Sequence, residues 1–476
     1  MRIPVGLLGV LVSLVLLASS AAAQTGSQNI AQLSGLSQTQ RTMGAAIDVV
    51  CPALGVFNGG AGGSGLQTSS QKDLFARCRE MRQTAFILSG GAPGAVGFEM
   101  NIGLDEYKSV LLGLSNDETT AQGTSAVEVG SKQARVVGSR LAALRAGATG
   151  IRVSGLSLLG DGVALLPDRP NGVEGLDAAA IDEAMGRLGV FVTGHGSFGS
   201  RDTTSREPGF DFHDGGVTAG VDYRFLPSVV GGLAFTFLTG NTSFDANLGD
   251  IDTKTYAIAA YGTYYTGPLY VDVSAGFAWN TYDTTRRIVY STGAGAPNSA
   301  GGQFFDRTAR GDTDGRQFTG NLGAGYDFKV AGFTLTPVAR VEMIYLEIDS
   351  YAERGADGLD LKLKNQHLWS VQSGLGGRVA YAVNTGVGVF VPLISLEWRH
   401  EFADNKRTVT AKYIHDVTNT FFSLPTDDPD RDYASLGAGL SAHFARGVSA
   451  YVHYETALAL RHVTNHQFTA GIRIQF

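Results

Sequence analysis

Two side chains whose types could support nucleophilic catalysis lie two positions apart in the segment FVTGHGSF. His195 and Ser197 share one face of the β-strand that this segment predicts, since alternate residues of a strand point the same way. A serine beside a histidine can attack an ester, but the reaction also needs a group that orients the imidazole and donors that stabilise an oxyanion. The sequence identifies neither group, and polar residues at every second position are equally typical of the inner wall of a barrel. We therefore predict no catalytic residues.

Residues 24–170 lack the motifs of common hydrolases and metalloenzymes. They contain no G-D-S-x-L block, no G-x-S-x-G nucleophile elbow and no H-E-x-x-H helix, and no histidine occurs between Gln24 and Asp182. Histidine is the commonest general base and zinc ligand, and the two cysteines of the chain have no nearby histidine pair. We expect no enzymatic activity, no metal site and no cofactor.

The N-terminus, MRIPVGLLGVLVSLVLLASSAAAQ, has the three parts of a secretory signal peptide. Arg2 supplies the positive charge, and a short apolar core and a run of small residues follow it. We predict a signal peptide over residues 1–23, with cleavage between Ala23 and Gln24 after export by the Sec machinery. The alternative, a retained membrane anchor, is disfavoured because the apolar core is short and the A-x-A site follows it directly.

Composition narrows the class of the exported chain. Beyond Gln24 no stretch approaches the roughly 18 apolar residues of a membrane-spanning helix, yet the mean hydropathy is +0.03 and 64 of 476 residues are glycine. With charged residues at 17%, this composition favours glycine-rich alternating strands over a helical enzyme. The net charge of −7 provides no basic field, so we expect no nucleic-acid partner.

The region after the signal peptide predicts a small helical domain. Ser37 and Gln40 form a capping-box pattern before a first helix, which is expected to end near Pro52 because proline lacks the backbone N–H that a helix interior needs. Ser70 and Asp73 occupy cap positions of a second predicted helix.

The two cysteines, Cys51 and Cys78, fall near the end of the first predicted helix and early in the second. Because exported chains meet an oxidising environment, a disulfide between them is expected. The glycine-rich segment GGAGGSG, residues 59–65, would let the two helices fold back as a stapled antiparallel hairpin. A third helical pattern runs from about Asn116 to Leu144.

From about residue 190 to the C-terminus the hydrophobic period changes to two. In VTAGVDYRF, for example, Val217 and Val221 fall on one face, and Thr218 and Asp222 fall on the other. This alternation is typical of a strand with one apolar and one polar face. Twelve such segments begin near residues 190, 215, 229, 254, 269, 316, 333, 367, 387, 432, 448 and 465.

The connections between these segments alternate in length. Short turns, such as LPS at 226 and TGP at 266, are followed by long connections, such as 282–315 and 403–431. Short turns at one end and long loops at the other are typical of a transmembrane β-barrel, whereas a soluble β-fold has no reason to sort its loops in this way. Aromatic residues beside the short turns are expected to form a girdle at the membrane interface: Phe225, Tyr265, Tyr270, Phe328, Phe333 and Phe444.

Three segments carry a resemblance to a known family: GSFGSRDTTSREPGFDFHDGGVTAGVDYRF, YGTYYTGPLYVDVSAGFAWNTYDTTRRI and the chain end GIRIQF. From about residue 183 to the end, the sequence resembles the C-terminal β-domain of the classical autotransporters, the type V secretion proteins of Gram-negative bacteria. The resemblance implies a mainly β protein with a twelve-stranded antiparallel barrel, residues 190–476, in the outer membrane. It also implies a linker helix in the lumen, residues 171–189, after an N-terminal passenger that is delivered to the cell surface. The passenger here is the predicted mostly helical region, residues 24–170, which differs from the family's usual β-helix.

The last strand, HQFTAGIRIQF, resembles the β-signal that the barrel-assembly machinery reads. Thr469, Gly471, Ile474 and Phe476 match the pattern in register. A strand with a fixed apolar face can pair with another sheet edge by β-augmentation, and we expect it to close the barrel on the strand near residue 190. The expected orientations are Phe468, Ala470, Ile472 and Ile474 toward lipid, Arg473 and Gln475 toward the lumen, and Phe476 at the periplasmic interface.

Three charged residues alternate with apolar ones in the segment ISLEWRHEF. Glu397, Arg399 and Glu401 are expected to line a hydrated lumen, because charges of opposite sign at this spacing can pair across neighbouring strands. Contact with the linker helix is a further hypothesis for these side chains.

The sequence thus predicts an outer-membrane autotransporter that displays a short helical passenger. The expected partners are the Sec and barrel-assembly machineries and the outer-membrane lipids. Two alternatives stay open: a structural or adhesive barrel whose N-terminal region remains in the periplasm, and an outer-membrane hydrolase that uses His195 and Ser197. Asn171 stands alone where some family members have an Asn-Asn pair for self-cleavage, so we expect a tethered passenger.

Overall fold

The computed structural model describes residues 29–57, 65–66, 68–92, 98–115, 138, 141, 187–292, 303–403, 407–444 and 448–475. The predicted signal peptide with its cleavage site at Ala23 and Gln24 lies outside these residues, as do most of the third helical pattern and residues 171–186 of the predicted linker. No helix in the described ranges is long and apolar enough to cross a membrane.

Twelve antiparallel strands form one closed barrel, as the sequence predicts. Each strand pairs with the next along the chain, and the last pairs with the first. The strands are β1 (Leu188–Arg201), β2 (Phe210–Leu226), β3 (Val229–Phe244), β4 (Gly249–Thr266), β5 (Leu269–Ser291), β6 (Phe304–Tyr326), β7 (Phe333–Ile348), β8 (Gln366–Tyr381), β9 (Gly388–Glu401), β10 (Asp432–Phe444), β11 (Val448–Leu458) and β12 (Val463–Gln475).

Two strands extend far beyond their predicted length. β5 and β6 pair without a break from Leu269 opposite Tyr326 to Ser291 opposite Phe304, although much of this extension was expected to be loop. Its sequence is rich in Thr, Asp and Arg and lacks a sustained apolar alternation. A hydrophobic period therefore cannot reveal it. At the start of the barrel, β1 begins at Leu188, two residues before the predicted boundary.

The two faces of the strands follow the predicted alternation. In β4, Thr255 and Ala257 are buried toward the lumen, whereas Tyr256 and Ile258 are exposed on the outside. The outer aromatic girdle contains Phe225, Phe328, Phe333 and Phe444, but two members were predicted wrongly. Tyr265 and Tyr270 occupy inward-facing positions of their strands and are buried in the lumen, where the hydroxyl group of each makes hydrogen bonds.

Three helices lie at the end of the barrel that carries the long connections, which we call the long-loop end; the opposite end is the short-turn end. They are α1 (Gln38–Phe57), α2 (Ser69–Leu88) and α3 (Leu104–Leu114). We refer to the described residues between 29 and 115 as the cap. The α3 helix was not predicted.

The capping box of α1 is confirmed, since Gln40 N–H donates to Ser37 Oγ and Ser37 N–H donates to Gln40 Oε1. The predicted end at Pro52 is wrong, because α1 continues to Phe57. Leu54 is buried in the cap core, and this packing outweighs the hydrogen bond that proline removes.

The start of α2 differs from the prediction in its capping residues. The N-cap is Thr68, which forms a capping box with Gln71, and not Ser70 or Asp73. A Cys51–Cys78 disulfide joins α1 to α2 across a Cα–Cα distance of 5.3 Å, as the sequence predicts. A loop closed by such a bond typically stabilises a small domain by about 3 kcal/mol.

A small four-stranded antiparallel sheet, the loop sheet, completes the long-loop end. Two long connections supply it: the one between β7 and β8 and the one between β9 and β10. One face of the loop sheet is buried against the cap and the other is exposed. Its strands, in spatial order, are Phe422–Pro425, Thr408–Tyr413, Leu361–Leu363 and Tyr351–Ala352.

Candidate functional site: the lumen and its cap

The cap and the long-loop end share a single hydrophobic core. Side chains from all three helices pack with the extensions of β5 and β6 and with the inner face of the loop sheet. Full burial of a Leu, Met or Phe side chain typically contributes about 1.5–3 kcal/mol, so the cap is firmly docked. Core residues include Met43, Val50, Leu74, Met81, Tyr107 and Leu111 of the cap, Ile288, Tyr290 and Phe305 of the strand extensions, and Leu361, Leu363, Tyr413 and Phe422 of the loop sheet.

A buried arginine joins the three parts of this core. The guanidinium of Arg286, on β5, donates two hydrogen bonds to the Glu353 carboxylate, at 3.0 and 2.6 Å. It also donates to the carbonyl oxygens of Gly113 in α3 (3.0 Å) and of Leu359 (2.9 Å). A cation at the C-terminal end of a helix is favourable because the last carbonyl groups carry partial negative charge. One side chain therefore fixes the end of α3 to the barrel.

A second polar contact anchors α2. Asp73 accepts a hydrogen bond from Arg307 Nη2 of β6 at 2.9 Å and one from the backbone N–H of Gly358 at 3.2 Å. Burial alone would raise the pKa of Asp73, but the Arg307 guanidinium holds it below its usual range. A Cβ at Gly358 would lie 2.7 Å from the carbonyl oxygen of Ser70, so this close approach requires glycine.

A buried carboxyl group lies at the same interface. Glu80 of α2 contacts Arg77 one turn away and lies 3.5 Å from the hydroxyl of Tyr290 on the β5 extension. Desolvation by burial raises the pKa of Glu80 to about 7, although the charge of Arg77 opposes the shift. The protonation of this group therefore changes near neutral pH.

The two residues of FVTGHGSF both face the lumen, as predicted. His195 and Ser197 are buried on the inner face of β1. The hydroxyl of Ser197 donates to Asp214 Oδ2 on β2 at 2.6 Å. A serine has one hydroxyl proton, and here it is directed at a carboxylate on the neighbouring strand and not at the imidazole. This geometry is that of a barrel wall and not of an activated nucleophile.

The charged residues of β9 pair inside the lumen, as the sequence predicts. Arg399 is 2% exposed, with Nε 3.7 Å from Glu397 Oε1 and Nη2 3.6 Å from Glu455 Oε1. Glu397 also pairs with Arg340 at 2.5 Å, and Glu401 accepts hydrogen bonds from β8. These contacts link strands β7, β9 and β11 across the interior.

The lumen near the short-turn end holds part of the N-terminal region. Leu141, which is helical, is buried among the inward-facing rings of Phe191, Tyr261, Tyr265 and Tyr270. The predicted linker helix, residues 171–189, therefore does not include the described segment that occupies the lumen. Residues 171–186 remain a prediction, since they lie outside the described part of the chain.

The last strand has the orientation that the sequence predicts. Phe468 and Ile472 are exposed on the outer face at 50% and 58%, whereas Thr469 and Arg473 are buried toward the lumen. Ala470 is exposed with the outer residues.

One residue of the predicted β-signal has a steric reason to be glycine. A Cβ at Gly471 would lie 2.8 Å from Thr193 Oγ1 and 2.5 Å from the ring of Tyr451. Of the other signal residues, the backbone of Ile474 pairs with Val190, while its side chain and the whole of Phe476 lie outside the described part of the chain.

Sequence reasoning missed the residues that dock the cap. Arg286 lies in the extension of β5 and Glu353 in the connection between β7 and β8, 67 positions apart, and no periodicity relates them. The one signal in the sequence was the charge of Arg286, but in a polar segment a buried arginine cannot be distinguished from a solvated surface arginine.

Comparison with known proteins identifies the barrel. The family model of the autotransporter beta-domain matches residues 190–455. Among curated proteins, the esterases named EstA of Pseudomonas aeruginosa and of Pseudomonas putida are each 23% identical over 273 residues. Each match covers 56% of this chain and 39% of the relative, so the chain spans well under half the length of these relatives.

Two solved structures align with this chain. The translocator domain of the autotransporter NalP from Neisseria meningitidis has a TM-score of 0.49 at 14% identity, covering 73% of this chain and 98% of that one. The beta domain of the Bordetella autotransporter BrkA has a TM-score of 0.43 at 18% identity, covering 61% of this chain and 100% of that one.

Because the autotransporter beta-domain model matches more than half of the sequence, this chain belongs to the autotransporter family, and its barrel resides in the outer membrane of a Gram-negative bacterium.

Proposed function

We propose that this autotransporter displays its own N-terminal region at the cell surface, as a cap that remains docked on the barrel. The observation that carries the proposal is the single core shared by the helices and the long-loop end. In outer-membrane barrels the long loops face outward and the short turns face the periplasm. A cap built into the long-loop end is therefore extracellular, which favours display over an N-terminal region that stays in the periplasm.

The path of the chain supports this orientation. The α3 helix ends at Leu114 at the long-loop end, held there by Arg286, whereas β1 begins at Leu188 at the short-turn end. The chain between these points must pass from one end of the barrel to the other, and Leu141 lies inside the lumen. We place the lumenal linker around this residue, ahead of the predicted helix at 171–189.

The Cys51–Cys78 disulfide bears on whether the N-terminal region folds before or after it crosses the barrel. A hairpin of two helices, α1 and α2, stapled by Cys51 and Cys78, would be too wide for a lumen that also holds the linker. We propose that this bond closes after both cysteines have crossed, and that docking on the loops then retains the folded cap. The lone Asn171 is consistent with a passenger that stays tethered.

We infer that the displayed region is not an enzyme. The EstA relatives are esterases by name, but every histidine of this chain lies at position 195 or later, and Ser197 donates to Asp214. The cap thus offers no histidine to activate a serine.

We expect the purified chain to hydrolyse a p-nitrophenyl ester no faster than the Ser197→Ala variant does. A rate at least tenfold above that variant would support a hydrolase.

Accessibility of the cap in intact cells tests display directly. We expect a recognition site for a sequence-specific protease, inserted within residues 59–64, to be cut when the protease is added to intact cells. The product is read after reduction, since the Cys51–Cys78 bond would hold the two fragments together. Cleavage that requires permeabilisation of the outer membrane would contradict display and support the periplasmic alternative.

Substitutions of two adjacent arginines test how the cap is held on the barrel. Arg286→Ala leaves the Glu353 carboxylate buried without its charge partner, which typically costs about 3–5 kcal/mol, so the cap should become sensitive to proteinase K. Arg287→Ala is the matched control, because Arg287 pairs with Asp306 at the surface and such pairs contribute about 0–1 kcal/mol. Equal resistance of the two variants would contradict the proposed anchor.

The pKa of Glu80 predicts how cap stability changes with pH. The folded state holds this proton up to about pH 7, whereas a free glutamate releases it near 4.5, so stability should fall as pH rises between these values. The shift corresponds to about 3 kcal/mol. Urea unfolding followed by the helical circular-dichroism signal measures it. Glu80→Gln should remove this decline, and a variant with the same slope as the parent would show that another group is responsible.

Assembly of the barrel should depend on Phe476. We propose that Thr469, Gly471, Ile474 and Phe476 form the β-signal read by the barrel-assembly machinery. Deletion of Phe476, or addition of a charged tail after it, should reduce the amount of barrel in the outer membrane by at least tenfold while signal-peptide cleavage at Ala23 continues. Heat-modifiable mobility in membrane fractions reports assembly, and normal amounts of both variants would count against the proposed signal.

A further inference from the structure

The exposed face of the loop sheet carries a cluster of lysines. Lys362 and Lys412 lie directly opposite each other on neighbouring antiparallel strands, and Lys364 is two residues farther along, so all three point to the same side. The Nζ atoms of Lys364 and Lys412 lie 4.0 and 5.4 Å from the ring centre of Phe421. We call these four residues the lysine face.

This arrangement is costly unless an anion compensates it. Like charges directly opposite on paired strands destabilise a sheet. Within the described part of the chain, none of the three lysines lies within ion-pair distance of a carboxylate. Lys412 donates to the amide oxygen of Asn419, a neutral group. The whole chain has a net charge of −7, so this positive cluster is a local exception. Charge complementarity points to an anionic ligand.

The position of the lysine face relative to the membrane identifies the ligand. Trp369 of β8 is 49% exposed on the outer surface, and the centre of its ring lies 4.5 Å from that of Tyr345. These two rings mark a second aromatic girdle, near the long-loop end, and such girdles lie at the membrane interface. Lys364 precedes Trp369 by five residues, which is roughly 15 Å along an extended strand. The lysines thus lie just outside the hydrocarbon boundary, at the level of headgroups and the first sugars.

We propose that the lysine face binds the phosphorylated saccharide of lipopolysaccharide in the outer leaflet. Each lysine near an anionic lipid surface contributes about a fivefold gain in affinity, and the ring of Phe421 offers an apolar surface beside the phosphates. The placement of the lysine face at the outer leaflet rests on the proposed orientation of the barrel, in which the long loops point out of the cell. The buried side of the same sheet belongs to the cap core, so the ligand would also brace the docked cap.

Titration of the purified full-length chain in detergent with rough-type lipopolysaccharide tests the proposal. The triple variant Lys362→Gln, Lys364→Gln and Lys412→Gln should bind at least tenfold more weakly than the parent. Lys364→Gln alone, which changes a single exposed charge, should weaken binding about threefold or more. The matched control, Lys72→Gln, Lys108→Gln and Lys329→Gln, makes the same change in net charge elsewhere and should bind within about twofold of the parent.

Two probes identify the chemistry of the ligand. Dephosphorylated lipopolysaccharide should bind the parent and the triple variant equally weakly. Equal affinity of the triple variant and the control, or binding of phosphatidylglycerol as tight as that of lipopolysaccharide, would overturn the proposal. Binding in detergent does not depend on which end of the barrel faces outward, so a negative result here is separate from a failure of the display experiment.

Discussion

The pairing of β12 with β1 is the interaction on which the rest of the molecule depends. In a bilayer, each backbone N–H and C=O must find a partner within the protein, so a sheet can cross only if it has no open edge. Thirteen residue pairs, from Gly189 opposite Gln475 to Arg201 opposite Val463, close that edge. β12 must be a complete strand for this reason, and Gly471 is kept small so that Tyr451 and Thr193 can pack beside it.

Closure creates a lumen that must be filled and electrically balanced. Arg399 is held by carboxylates from two strands, and near the short-turn end Leu141 packs among tyrosine and phenylalanine rings. Removing either partner of such a buried pair leaves a charge that cannot reach water. The N-terminal region is described at both ends of this lumen, since α3 ends at Leu114 at the long-loop end and Leu141 is buried near the short-turn end.

The cap is docked on the long-loop end of the barrel through a shared hydrophobic core. Its helices are too short and too few to bury their apolar faces by themselves, and the β5 and β6 extensions and the loop sheet complete the core. Arg286 donates hydrogen bonds both to the last turn of α3 and to the Glu353 carboxylate. The cap is therefore docked by specific hydrogen bonds as well as by hydrophobic burial. The same loops present the lysine face outward, which gives each side of the loop sheet a different role.

Most of the barrel can be predicted from the sequence alone. Twelve segments of period two, alternating turn lengths and a patterned chain end predicted the strand number, the lipid-facing residues and the closing pair, because the lipid and the lumen impose opposite polarity on alternate residues. The capping box at Ser37 and the Cys51–Cys78 bond were also predictable, since both depend on local signals. The other features could not be predicted in this way. The polar extensions of β5 and β6, the continuation of α1 past Pro52, the Arg286–Glu353 pair and the place of Leu141 in the lumen depend on contacts between distant segments, which no local period records.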